Sequence, residues 1–73
     1  LKGCREMKHY YLVTYRSGLN DIIYRKIVYT SRYILIRWFD KTGIDTLLSF
    51  CKISKKEAKY ILSQYDCINE VRL

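Results

Sequence analysis

The sequence predicts an α+β domain: an antiparallel β-hairpin over about residues 9–30 packs against two or three short helices, over about 31–42, 45–52 and 55–65. Three observations carry this prediction. Two runs rich in aromatic and β-branched residues, HYYLVTYR and IIYRKIVYT, flank the turn-forming SGLND. Ser54-Lys55-Lys56-Glu57 has the spacing of a capping box, in which the serine hydroxyl and the glutamate carboxylate each accept from the other's backbone amide. From there, at about 100° per residue, Ala58, Ile61, Leu62 and Tyr65 share one sector, with Lys55, Lys56, Lys59 and Ser63 in the next.

Taken in order, residues 1–6 differ in character from the strand-like run after Met7 and read as a frayed or non-native leader, with translation expected to start at Met7. In the first strand Tyr11, Val13 and Tyr15 share a face and Tyr10, Leu12 and Thr14 share the other. Gly18 and Asn20 tolerate positive φ, so the turn belongs at 17–21. Residues 31–42, SRYILIRWFDKT, admit two readings. Apolar residues at 33–36, 38 and 39 encircle a helix almost completely, and Thr30 or Ser31 can cap it while Gly43 ends it, which favours a buried helix. The alternative is a third strand of a meander. The tail, with Ile68 and Val71 among polar residues, fits either a short strand or an extended terminus.

Asp45 is placed to cap a helix through Cys51, so that Asp45 to Tyr65 forms a helical pair. Leu47, Leu48, Cys51, Ile53, Ala58 and Ile61 then fall at buried positions and Ser54 at the start of the second helix, a spacing that resembles a helix-turn-helix unit. Two positions depart from that motif. Leu48 stands where a small residue is usual, and Lys52 where glycine is usual. If the resemblance holds, Lys55, Lys56 and Lys59 reach DNA phosphates from the second helix.

At 73 residues the chain is a single small domain that buries only about 60% of its unfolded surface, so its core is thin. Its formal net charge is +7, which favours an anionic partner. Residues 1–39 hold eight basic and two acidic side chains, a net of +6, and residues 40–73 a net of +1. Three widely spaced cysteines, Cys4, Cys51 and Cys67, form no Cys-x-x-Cys pair, which argues against a disulfide framework or zinc site and for a cytoplasmic, reducing compartment. His9, the single histidine, has no evident catalytic partner, and three scattered glycines build no phosphate loop. The chain is therefore expected to be neither an enzyme nor a cofactor protein. The most apolar window, Ile27 to Phe39, is too short to span a bilayer and contains Arg32 and Arg37. Isoleucine, lysine and tyrosine supply 25 of the 73 residues, a bias that suggests AT-rich coding and a virus, phage or mobile element.

Tyrosines beside cations, Tyr15-Arg16 and Tyr24-Arg25-Lys26, are the chemistry of nucleic-acid readers, although tyrosine also favours strands for structural reasons. The candidate binding residues are Arg16, Tyr24, Arg25, Lys26, Arg32, Lys55, Lys56 and Lys59. The expected function is that of a small basic accessory or regulatory protein associated with DNA or RNA. The alternative is an inhibitor module that binds an acidic protein surface on a nucleoprotein complex. A homodimer with aromatics paired across a two-fold axis is a further expectation.

Overall fold

The computed structural model describes residues 7–73; residues 1–6, with Cys4 and the expectation of a leader there, lie outside the described residues. Its architecture is α+β, a four-stranded mixed sheet with two helices: β1 (His9–Arg16), β2 (Ile23–Thr30), α1 (Arg32–Thr42), β3 (Thr46–Ile53), α2 (Lys55–Gln64) and β4 (Glu70–Arg72). The N-terminal hairpin is present, with β1 and β2 in antiparallel register from His9↔Thr30 to Arg16↔Ile23. In the sheet the order is β3-β1-β2-β4, with β3 antiparallel to β1 and β4 parallel to β2. β2, β3 and β4 therefore all run the same way, against β1.

The hairpin turn closes through Ser17 and Ile22, whose amide and carbonyl meet at 2.9 Å, while the Asn20 side chain accepts from the Ile22 amide at 3.0 Å. Positive φ falls at Asp21 (61°) and not at Gly18 or Asn20, which corrects the predicted turn geometry. Gly18 is needed for a different reason. A Cβ there would collide with the Ile44 carbonyl oxygen, and the Gly18 amide donates to Asp45 Oδ1 at 3.2 Å, which pins the turn to the segment before β3. Gly18→Ala is expected to cost about 1–3 kcal/mol through overpacking against backbone, read as a lower urea midpoint at unchanged m-value.

Residues 31–42 are a helix, as favoured: the Ser31 hydroxyl accepts from the Ile34 amide at 3.3 Å, and Gly43, at φ 64°, ends it. It is not buried all round. Leu35 and Phe39 face the sheet and join Tyr11, Val13 and Val28 in the core, whereas Tyr33, Ile34 and Ile36 are exposed. The capping box at Ser54 forms in full, with both hydrogen bonds at 3.0 Å, so α2 starts where predicted. Of its predicted core sector, Ala58 is buried, Ile61 and Leu62 are half-buried, and Tyr65 is exposed.

The predicted helix over 45–52 is instead β3, and the helix-turn-helix resemblance falls with it. The physical reason is a β-bulge. Thr14 pairs with Ser49 but Tyr15 pairs with Leu47, leaving Leu48 as the extra residue. The bulge turns Leu47 to the same face as Phe50, and Ile53, opposite Tyr10, is half-buried on the other face, so the half-buried positions fall at a spacing of three that imitates a helix. Thr, Ser, Phe, Cys and Ile are also poor helix formers, so pairing with β1 meets little local resistance. Asp45 caps no helix and holds the turn instead.

Alternation assigns the two faces. Tyr11, Val13, Tyr15, Val28 and Phe50 lie under α1. Leu12 and its partner Ile27 lie on the other face, where Leu12 and Arg25 share a groove with Ile61 and Tyr65 of α2. One helix thus covers each face. The crossovers β2-α1-β3 and β3-α2-β4 move in opposite directions across opposite faces, so they share one hand. Among the described residues no helix is long and apolar enough to cross a membrane.

Candidate nucleic-acid interface

Because β2, β3 and β4 are parallel, their carboxyl ends gather at one end of the sheet, and the helices that come after β2 and β3 both begin there. Beyond such carboxyl ends is where ligands bind in sheets with helical crossovers. Lys8 precedes β1 at this end, Arg32 opens α1, Lys52 nears the end of β3, Lys55 and Lys56 open α2, and Arg72 ends β4. The acidic side chains of the same region are already engaged. Glu57 is held in the capping box, and Glu70 pairs with Arg72 at 2.8 Å.

All four aspartates, Asp21, Asp40, Asp45 and Asp66, lie at the opposite end, at the hairpin turn and the carboxyl ends of the helices. The protein therefore has a cationic pole and, opposite it, an acidic pole whose aspartates stand among Arg16 and Lys41.

This arrangement opposes helix stability. A helix N-terminus carries a partial positive charge, so each exposed cation in the first turn costs about 0.3–1 kcal/mol. Lys55 and Lys56 stand there beside a single acid, Glu57, Lys59 repeats the charge one turn on, and α1 opens on Arg32 with no acid in its first turn, although Lys41 in its last turn is favourably placed. A polyanion running across this end of the sheet would pass the two helix N-termini in turn, with the basic side chains beside each.

Of the predicted site residues, Arg32, Lys55 and Lys56 meet at this pole, with Lys59 one turn along α2. The hairpin residues do not join them. Arg16 is at the acidic pole, 3.6 Å from Asp21, and Arg25 lines the α2-side groove, about 580 Å³ in volume. Tyr24 and Lys26 point to the α1 side, where Tyr24 stacks on Tyr15 at 5.8 Å and accepts from Asn20 at 2.9 Å. The Lys26 ammonium sits 4.6 Å from the Tyr15 ring and 5.0 Å from Trp38. Burial lowers the Lys26 pKa, partly offset by Asp45, and burial raises that of Tyr15. Arg16, Arg25 and Lys26 thus form no single patch, and adjacency in sequence is what separates Arg25 from Lys26, since neighbours in a strand face opposite ways.

The interleaved aromatics are largely used internally. Arg32 lies over Phe50 at 5.8 Å, Arg37 over Tyr33 at 5.5 Å, and Arg72 over Tyr29 at 5.2 Å while donating to the Tyr10 hydroxyl at 3.2 Å. Glu70 first, then Tyr10, hold the Arg72 pKa above its ordinary value. Sequence reasoning misses Lys8, Lys52 and Arg72 as site residues. Lys52-x-x-Lys55-Lys56 is visible as a run, but the helical reading of 45–52 puts Lys52 in a turn. Among the described residues no three His, Cys, Asp or Glu side chains converge as a metal ion would need.

Comparison of the chain with protein-family models, with curated proteins and with solved structures finds no match.

Proposed function

We propose that this is a small nucleic-acid-associated accessory protein that engages the phosphate backbone through its cationic pole. The observation that carries the reading is the placement of Arg32, Lys52, Lys55 and Lys56 at the one end of the sheet where both helices begin, with two lysines in the first turn of α2, where a cation opposes the helix dipole. Phosphates would offset that effect, and lysines that pair with no carboxylate among the described residues are free to meet them. Contacts of this type position a protein on nucleic acid without reading bases. Sequence-independent, salt-sensitive binding is the expected behaviour.

The test is a salt titration of binding to mixed-sequence single-stranded and duplex oligonucleotides. With four to six phosphate contacts on duplex DNA, log affinity against log salt is expected to fall with a slope of roughly −4 to −5. Absence of binding to either at low salt ends this reading.

A further inference from the structure

The two edges of the sheet are unlike. β4 closes one edge with only three residues, two of them the charged and mutually paired Glu70 and Arg72. β3 leaves eight residues open on the other, with Lys52 as its one charge and no proline. Natural sheets blunt their free edges with charge, proline, bulges or brevity, because unpaired amides and carbonyls recruit another strand. The Leu48 bulge protects only the first half of β3, so Ser49–Ile53 remains a regular edge with the Lys52 charge as its one protection.

We infer that Ser49–Ile53 pairs antiparallel with the same segment of a second copy of this chain, about a two-fold axis perpendicular to the sheet, to make one continuous eight-stranded sheet. The two-fold axis requires one residue to face its own counterpart, and centring it on the regular segment maximises the pairing. The middle of the five regular residues is Cys51, so Cys51 faces its own counterpart, Phe50 faces Lys52 of the other copy, and Ser49 faces Ile53. Phe50 and Lys52 project toward the α1 side in both copies, which places an ammonium beside a ring on each side of the axis.

Charge complementarity favours a second copy over an unrelated strand. Antiparallel pairing sets Asp45, just before β3 in one copy, toward Lys55 and Lys56 of the other, and does so twice. The net charge of +7 per chain opposes association, but charges more than about 8 Å apart are largely screened at physiological salt, so neighbouring residues dominate. This inference does not depend on nucleic-acid binding.

The test uses the full chain with Cys4→Ser and Cys67→Ser, leaving Cys51 as the single thiol. Light scattering at millimolar concentration should report twice the 8.9 kDa chain mass. Oxidation with copper phenanthroline should give a covalent dimer, since residues opposed in antiparallel strands have Cα atoms roughly 4.5–5.5 Å apart, within disulfide reach. Cys51→Lys, at an exposed position, sets two like charges against each other and should return a monomer with an unchanged circular dichroism spectrum. A monomer at all concentrations, a dimer that gives no Cys51 cross-link, or a dimer that survives Cys51→Lys overturns the inference. Should Cys51→Lys fail to fold, the cross-link decides alone.

Discussion

Replacing Leu35 with alanine is expected to destabilise the domain by about 3 kcal/mol, within the range of about 2–5 for a fully buried leucine. Leu35 has 0% exposure and packs with Tyr11, Val13, Val28 and Phe39 under α1. The site has little means of collapse, because the surrounding rings are held against one another, Tyr11 on Phe50 at 5.7 Å and Tyr15 on Phe39 at 5.7 Å. A chain of 73 residues has a total stability of roughly 4–11 kcal/mol, so this one truncation removes a quarter or more of it. In a thermal melt the midpoint should fall by about 12–24 °C. Ile34→Ala and Ile36→Ala, next to it in sequence but exposed, should stay within about 0.5 kcal/mol of the parent. Equal losses at all three positions would mean that α1 is buried all round.

The second large effect moves stability and binding in opposite directions. Lys55→Glu with Lys56→Glu places acids in the first turn of α2, where they meet the positive end of the helix, so stability should rise by about 0.6–2 kcal/mol. Affinity for nucleic acid should fall at the same time. Each phosphate contact contributes a slope near −0.9, which at 0.1 M salt is about eightfold in affinity, so losing two contacts costs roughly 60-fold and reduces the slope by about 2. Arg16→Gln with Arg25→Gln, at the other end and on the flank, should change affinity far less. If both pairs weaken binding equally, the protein attracts polyanions through net charge alone and the cationic pole has no special role.

The residues behind these two predictions are legible in the sequence to different degrees. Hairpin and α2 announce themselves locally, through alternation and the Ser54-Glu57 box, because each depends on residues within a few positions of one another, whereas for α1 the Ser31 and Gly43 ends favour a helix over a strand without deciding it. β3 does not announce itself. Its bulge, together with burial of Ile53 on the opposite face, disguises a period of two as a period of three, and only the pairing with β1 reveals it. The site is half-legible for a related reason. Lys55, Lys56 and Lys59 share a helix and can be grouped by projection, but joining them to Arg32, Lys52 and Arg72 requires knowing that three strands run the same way, which no local pattern encodes. Conversely, Arg25 and Lys26 look like one motif in the sequence and face opposite sides of the sheet.

The extra residue in β3 also governs how this segment tolerates changes in length. Removing Leu48 would join Leu47 directly to Ser49 and keep every other partner of β1 in place, from Thr46 opposite Arg16 to Ile53 opposite Tyr10. Losing Ser49 would do the same, with Leu48 moving opposite Thr14, whereas a cut at Phe50 or beyond would remove Phe50 from its place opposite Val13 or turn the residues past the cut to the wrong side. Among variants of this protein, a one-residue gap should therefore be accepted at position 48 or 49 and purged from positions 50–53.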